Sequence, residues 1–216
     1  SGATLSLTNA IIQKITKSGS SCFADVDSGC KVIINSGTEI RYCHNHGGNG
    51  TLSYMRGKSI MNGGKIHHNS GVDNNGSVFM LYGSGASFTM EDGEIYNNHA
   101  LKGTNNGWNP VFYVYGNGTT FVMNGGSIHS NSSTMVSAIG NNGSNATVKL
   151  NGGSISNNSS TSGLFGDDLY LYCDGTIGKD MTVGDVRSYG DLTVNGGVTG
   201  NAYLYGGSTT ISSTGS

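Results

Sequence analysis

A nine-residue motif recurs along the chain, and this repetition restricts the possible folds more than any other feature. Three copies, at residues 61–69, 123–131 and 150–158, share Asn-Gly-Gly followed by an isoleucine and an asparagine, and a fourth at 90–98 carries Glu-Asp-Gly in the same place. With the second glycine as anchor, weaker copies fall at Ala10, Gly37, Gly175 and Gly197, so that eight anchors lie 22 to 33 residues apart. Such self-similarity is typical of an architecture in which each repeat adds one unit to a stack.

Apolar side chains occupy fixed positions relative to each anchor. Three residues before the anchors stand Leu7, Ile34, Met61, Met90, Met123, Leu150, Tyr172 and Val194. Five residues before them stand Leu5, Val32, Ser59, Phe88, Phe121, Val148, Tyr170 and Leu192. Because the residue between these two columns varies in polarity, the pattern has period two and predicts a strand with one buried face. Its recurrence in every repeat predicts that these strands stack on one another.

A turn and a second short strand follow each anchor. Glycine and the preceding Asn or Asp tolerate the backbone conformations that a tight turn requires. The isoleucines that follow are expected to point inward, at Ile66, Ile95, Ile128, Ile155 and Ile177. Three residues after four of them comes an asparagine, at Asn69, Asn98, Asn131 and Asn158. Stacked asparagines can bond side chain to side chain along the stack, so the sequence predicts an asparagine ladder.

A third strand is predicted in the longer repeats, at residues 78–82 and 111–115. Three strands and three turns per repeat predict an all-β fold, a right-handed parallel β-helix of about eight coils with 22–33 residues per coil. The handedness is expected from the strong bias of parallel crossover connections. Residues 1–216 are expected to form a single β-helix domain, a fragment of a larger protein.

The motif Met-Asn-Gly-Gly-x-Ile-x-x-Asn resembles the repeats of β-helical surface proteins from gut Firmicutes and related bacteria. The resemblance covers nearly the whole chain and is strongest in the four central copies. It implies an extracellular or bacterial cell-surface location. It does not select a function, because such β-helices act as adhesins, stalks, glycan-binding modules and carbohydrate-active enzymes.

Composition removes two classes of partner from consideration. Only 11 Lys and Arg are scattered among 216 residues and the net charge is -2, so the basic patch of a nucleic-acid-binding protein is not expected. No run approaches the roughly 18 apolar residues that span a bilayer, so no membrane insertion is expected. Unpaired strand edges at the ends of a solenoid invite stacking with another chain, so end-to-end self-association is expected to be possible.

Aromatic residues on the third strand form the candidate ligand-binding site. If Phe79, Leu81, Phe112 and Val114 point inward, then Val78 and Val111 face outward with the proposed site residues. These site residues are Trp108, Tyr113, Tyr115, Tyr82 and Met80. Flat rings on a rigid ridge suit stacking on sugars and also suit protein contacts, and the insertion at 101–110 falls on this face. The alternative is that the inserted loop folds over the strand and buries these aromatics.

Histidines gather on one turn, at His44, His46, His67 and His68, with His99 and His129 in later coils. One histidine of each neighbouring pair is close enough in the predicted coils to share a zinc ion, but no Cys or carboxylate completes a known spacing. A solvated polar turn is the preferred interpretation, with no metal and no cofactor expected.

The acidic pairs are Asp167 with Asp168, Glu91 with Glu94, and Asp25 with Asp27. A glycosidase or lyase needs carboxylates that converge on one face. Each pair is explained more simply as turn residues or a solvated strand edge, so no catalytic residue is assigned and enzymatic activity is not expected.

Three cysteines, Cys22, Cys30 and Cys43, lie in adjacent repeats, and Cys173 stands alone. Spacing allows one local disulfide or buried thiols and does not choose between them.

The sequence therefore favours an extracellular binding or adhesion module that recognises a host glycan or a host extracellular protein. The alternatives are an accessory or partial β-helix of a carbohydrate-active enzyme and a purely structural stalk.

Overall fold

The chain forms three parallel β-sheets, and their strands succeed one another around each coil. The computed structural model describes residues 2–48, 50–72, 78–101, 110–134, 138–160, 168–172 and 174–212, and only the backbone of Leu101. Within these ranges no residue is helical, and no segment can cross a membrane as a helix. Every strand pairs in parallel with the equivalent strand of the next coil. The predicted all-β parallel β-helix is confirmed.

The first sheet carries the repeat motif. Along its main path lie β1 (Thr4–Leu7), β5 (Lys31–Ile34), β9 (Lys58–His67), β12 (Ser87–Tyr96), β15 (Thr120–Met123), β19 (Thr147–Ser156), β22 (Gly175–Val183), β24 (Leu192–Val194) and β27 (Thr209–Ile211). Beside this path lie β2 (Ile11–Gln13), β6 (Glu39–Arg41), β16 (Ser127–His129) and β25 (Gly197–Val198).

The second and third sheets complete each coil. The second contains β3 (Thr16–Ser18), β7 (His44–His46), β10 (Ser70–Val72), β13 (His99–Leu101), β17 (Ser132–Ser133) and β20 (Ser159–Ser160). The third contains β4 (Ala24–Val26), β8 (Ser53–Met55), β11 (Phe79–Leu81), β14 (Phe112–Val114), β18 (Ile139–Asn141), β21 (Leu169–Leu171), β23 (Val186–Ser188) and β26 (Ala202–Leu204).

The register confirms the repeat alignment in every coil except the one anchored at Gly175. Leu150 pairs with Ile177 and Ile177 with Val194, whereas Tyr170 lies in the third sheet and Tyr172 follows its strand directly. Val183, and not Ile177, lies above Ile155 after the turn. Successive coils are therefore spaced by 27, 27, 29, 33, 27, 27, 17 and 17 residues, so the last coils are shorter than the 22 residues expected. The expected alignment failed at that coil because its turn lacks Asn-Gly-Gly, whereas the next coil carries Asn195-Gly196-Gly197 and keeps Leu192 and Val194 in the predicted columns.

The core is a continuous apolar column between the three sheets. Met61, Met90, Met123 and Leu150 lie in register and are fully buried. Four phenylalanines fill three successive central coils, with Phe79 stacked on Phe112 at 5.1 Å and Phe88 on Phe121 at 5.9 Å between ring centroids. Like side chains stack because identical shapes recur one strand spacing apart, which gives close packing.

The predicted asparagine ladder is present and buried. Each amide donates to the side-chain oxygen of the next asparagine, at 2.9 Å from Asn69 to Asn98, 3.0 Å from Asn98 to Asn131 and 2.9 Å from Asn131 to Asn158. The backbone N–H of each residue donates to the same oxygen. Buried amides of this kind are tolerated because every donor and acceptor has a partner.

A buried carboxylate ends the ladder. Asp168 Oδ1 accepts hydrogen bonds from the Asn158 side chain at 2.7 Å and from the Asn158 backbone at 3.1 Å. Desolvation raises the pKa of Asp168, and its hydrogen bonds to Asn158 oppose that rise without cancelling it. Asp168 therefore supplies the acceptor that a further asparagine would have supplied, but through a group that can ionise inside the protein.

This raised pKa predicts a pH-dependent difference between the wild type and Asp168→Asn. Because the native pKa lies above the unfolded value of 3.8, the wild type is favoured by protonation and loses stability as the pH rises through the native pKa. Asparagine keeps an acceptor for Asn158 but does not ionise. We expect the stability of Asp168→Asn relative to the wild type to increase from pH 4 to pH 7, measured by urea denaturation; parallel pH profiles would contradict this.

Both ends of the stack, within the described residues, expose apolar side chains. Leu5 and Ile11 are exposed at one end, and Leu204 and Ile211 at the other. End-to-end self-association stays a prediction.

Cys22, Cys30 and Cys43 are free thiols, and burial raises the pKa of Cys22 to about 11. Cys173 lies outside the described residues.

Candidate functional site

The outward side of the third sheet carries two rows of side chains, both rich in tyrosine. The row at the middle of each strand contains Asp25, Tyr54, Met80, Tyr113, Gly140, Tyr170, Arg187 and Tyr203. The row just after each strand contains Asp27, Arg56, Tyr82, Tyr115, Asn142, Tyr172, Tyr189 and Tyr205. We call the tyrosines at positions 54, 82, 113, 115, 170, 172, 189 and 205 the tyrosine face.

Two of the four described site residues are exposed, and two are not. Tyr82 and Tyr115 are 45% and 41% exposed, as expected for a binding surface. Met80 and Tyr113, predicted to face solvent, are 3% and 6% exposed and lie outside the main core cluster. They therefore point away from the core, as predicted, but are covered. Trp108 lies outside the described residues.

Val78 and Val111 were predicted to face outward, and this prediction is wrong. Both are fully buried within the core cluster. Each precedes a three-residue strand, at a bend where the chain enters the third sheet. The alternation of a strand does not extend through a bend, so consecutive residues such as Val78 and Phe79 both point inward.

The exposed tyrosines stack on one another along the coils. Tyr82 lies between Tyr54, at 5.2 Å between ring centroids, and Tyr115, at 5.9 Å, with interplanar angles of 30° and 17°. A second stack runs from Tyr172 through Tyr189 to Tyr205, at 4.8 Å and 4.9 Å. Asn142 interrupts the row between the two stacks. The rings within each stack share their faces, so contacts with a ligand are confined to ring edges, hydroxyls and terminal faces.

Tyr113 contacts Asn142, the residue that separates the two tyrosine stacks. Burial raises the pKa of the Tyr113 hydroxyl to about 12, and a hydrogen bond with the Asn142 side chain opposes that rise. The Tyr113 ring also contacts the Tyr115 ring at 5.2 Å. Tyr113 thus supports both Tyr115 and Asn142 from beneath, which makes it a positioning residue and not a contact residue.

A shallow cavity of about 350 Å³ lies beside the first stack. Its walls are Tyr82, Ser84, Tyr115, Gly116, Asn117, Asn142 and Ser144. Among the described residues that line it, the polar groups are amides and hydroxyls and none is charged. An aromatic wall beside neutral donors and acceptors suits a neutral, ring-shaped polar ligand. The sequence did not single out Ser84, Asn117, Asn142 or Ser144, although their position after each third strand placed them near Tyr82 and Tyr115.

A second and larger cavity, of about 420 Å³, follows the glycine turns of the first sheet. Glu39, Asp92 and Glu94 line it together with Lys65. Glu94 pairs with Lys65 at 3.2 Å, Glu39 pairs with Arg41 at 2.7 Å, and Asp92 accepts a hydrogen bond from the Gly93 backbone. Sequence reasoning missed this grouping, although Glu39, Lys65 and Glu94 each stand one residue before an inward isoleucine.

The acidic pairs singled out in the sequence have separate partners in the structure. Asp25 accepts hydrogen bonds from Ser20 and Ser21, whereas Asp27 pairs with Arg56. Glu91 accepts a hydrogen bond from Asn124 and Glu94 pairs with Lys65. Asp168 ends the asparagine ladder, and Asp167 lies outside the described residues.

The histidines pair within coils and not between them. His44 Nε2 lies 2.9 Å from His46 Nε2, and His67 Nδ1 lies 2.7 Å from His68 Nδ1. His67 also stacks on Tyr96, which stacks on His129. Among the described residues no three metal-ligating side chains form a group.

The fold and this surface define the class of the molecule: a parallel β-helix with a tyrosine face. The comparisons name nothing more particular, because no family model, no curated protein and no solved structure matches the chain.

Proposed function

We propose that this chain is a non-catalytic extracellular module that binds a glycan at the cavity beside Tyr82 and Tyr115. The observation that carries the proposal is an exposed aromatic wall beside amides and hydroxyls, which are the only polar side chains among the described lining residues. Pyranose rings present apolar C–H faces that stack on aromatic rings, and their hydroxyls both donate to and accept from amide groups. The proposed ligand is a host glycan, bound by a module that acts outside the bacterial cell or at its surface. A host protein is the competing ligand.

The arrangement of the cavity explains why a sugar is preferred over a charged ligand. One face of the Tyr115 ring stacks on Tyr82. Asn142 lies in the cavity wall together with Tyr115. Asn117 and Ser144 supply hydrogen-bonding groups on the turns of successive coils. A protein partner would instead favour a larger apolar patch, and an ionic ligand would need a charge, which the described part of the wall does not carry.

Replacing Tyr115 with alanine is expected to weaken glycan binding about tenfold or more, because the stacking wall is lost. Tyr115→Phe keeps the ring and should retain most of the affinity. Tyr42→Ala removes an equally exposed tyrosine from a different part of the surface and serves as the matched control. Binding is measured on an array of mucosal and plant glycans and then by calorimetry with the best ligand.

Three results would overturn the proposal. One is that no glycan binds the wild type, and another is that Tyr115→Ala binds as the wild type does. Release of reducing ends from a polysaccharide mixture would instead favour the accessory-enzyme alternative, with the acidic cavity at Glu39 and Glu94 as its site. A stalk would bind neither glycans nor host proteins. Tyr113→Ala is unsuitable as a test because Tyr113 is buried and supports Asn142.

A further inference from the structure

The strand β7 places two histidines side by side on its solvent face. His44 and His46 are separated by one residue, so both point outward while Asn45 points into the coil. The Nε2 atoms of the two rings lie 2.9 Å apart. His44 is partly exposed and His46 is exposed, so an ion reaches both nitrogens from solvent.

The orientation of His44 is fixed from the next coil. Its Nδ1 lies 2.5 Å from Ser70 Oγ, and Ser70 is its register partner in β10. A hydrogen bond at one imidazole nitrogen fixes the orientation of the ring and leaves the other nitrogen to bind a metal, as in many metal sites. Ser70 thus leaves Nε2 of His44 as the outward nitrogen.

The geometry of the rings fits a chelate. The ring centroids lie 4.3 Å apart, farther than the nitrogens, and the ring planes are nearly perpendicular at 84°. The rings thus diverge behind the two nitrogens, as they do when both nitrogens point toward a shared third position. Two nitrogens that are each about 2.05 Å from a metal lie about 2.9 Å apart at a 90° angle and about 3.3 Å apart at a tetrahedral angle.

The geometry points to a bidentate site at His44 and His46 for a divalent transition metal that prefers 90° angles. Cu²⁺ is the ion expected to bind most tightly. Square-planar or tetragonal nitrogen coordination is typical of Cu²⁺ and Ni²⁺, and imidazole affinity rises from Ni²⁺ to Cu²⁺ and falls again at Zn²⁺. Water fills the remaining positions, because no third metal-ligating side chain joins this pair among the described residues. The site is independent of the tyrosine face.

Two other sites in the chain serve as controls. His99 lies in the same row of the second sheet, two coils further on, and its Nδ1 contacts Ser132 Oγ at 2.5 Å. The residue two positions after it is Leu101, so His99 has the same serine but no second histidine on its strand. His67 and His68 are adjacent and contact each other through Nδ1.

The test titrates the untagged chain with Cu²⁺ alone, followed by calorimetry and by electron paramagnetic resonance. One Cu²⁺ per chain with nitrogen hyperfine structure is expected at the His44–His46 pair. His46→Ala is expected to lower the affinity roughly tenfold or more, since the second ligand binds intramolecularly in the wild type. His99→Ala should bind as the wild type does.

Two outcomes would overturn the site. The first is equal Cu²⁺ binding by the wild type and His46→Ala when circular dichroism shows both to be folded. The second is loss of the bound Cu²⁺ in the variant His67→Ala/His68→Ala, which would place the ion on the other pair. Zn²⁺ that binds more tightly than Cu²⁺ would overturn the assignment of the metal.

Discussion

Replacing Asn131 with alanine is expected to lower the free energy of unfolding by about 3–5 kcal/mol, because several buried polar groups lose their partners at once. The two N–H groups of the Asn131 side chain are shared among three acceptors, Ile95 O, His129 O and Asn158 Oδ1, each at 2.9–3.0 Å. Its side-chain oxygen accepts from both nitrogens of Asn98. No water reaches this position to replace the lost bonds, since Asn131 is 1% exposed. Urea denaturation gives the free energy.

Asn124 provides the matched control in the same repeat. It belongs to an outer polar ladder, where it donates to Glu91 at 2.8 Å and accepts from Asn151 at 2.7 Å, and both bonds are exposed to solvent. Asn124→Ala should therefore cost about 0.5 kcal/mol, typical of a surface position. Equal losses for the two alanine variants would show that burial of the inner ladder does not determine its contribution.

Replacing Gly93 with alanine is expected to cost about 3 kcal/mol, by adding steric overlap to backbone strain. Gly93 has a φ of 112°, which side chains rarely adopt. An added Cβ would lie 2.6 Å from the Met61 side chain and 2.8 Å from the Gly64 carbonyl oxygen of the preceding coil. The turn brings the backbone of Gly93 this close to the preceding coil, so an added methyl group would displace a backbone carbonyl as well as a side chain. Thermal unfolding and urea denaturation measure the loss.

Gly85→Ala separates the two causes. Gly85 also has a positive φ, of 71°, but an added Cβ would have nothing within 4 Å. Its replacement should cost about 1 kcal/mol from backbone strain alone. If both alanine variants lose the same stability, contact between coils is not the reason for glycine in the repeat. A larger loss for Gly85→Ala would contradict the assignment of strain as the smaller cause.

The two predictions concern the two groups that the repeat fixes in every central coil. The buried asparagine of the repeat, such as Asn131, pairs polar groups where water is excluded. The glycine of the repeat turn, such as Gly93, lets the backbone of one coil approach that of the next. Together they hold the strands of the first sheet in register. The rigid register in turn determines which outward side chains meet along the stack, including Tyr82 with Tyr115.

The histidines and the tyrosine face show the limit of reading positions from a pattern. The sequence placed Met80 and Tyr113 on the outward side of their strands, and they do point away from the core, but outward direction does not establish exposure. Likewise, the positions of the histidines in the repeat suggested contacts between adjacent coils, whereas His44 lies against His46 on its own strand. Exposure and pairing depend on what else packs against a side chain, which a local pattern does not specify.

The sequence by itself determined the parallel stack, the inward columns at Met61 and Met90, and the ladder from Asn69 to Asn158. It did so because strand alternation and turn chemistry are local, and the repeat copies them into every coil. Only the tertiary structure showed that Tyr170 belongs to the third sheet and that Asp168 ends the ladder. Asp168 follows Asn158 by ten residues and matches no position of the repeat. Its place depends on how a non-repeating segment closes the coil, and that closure is set by packing between distant residues.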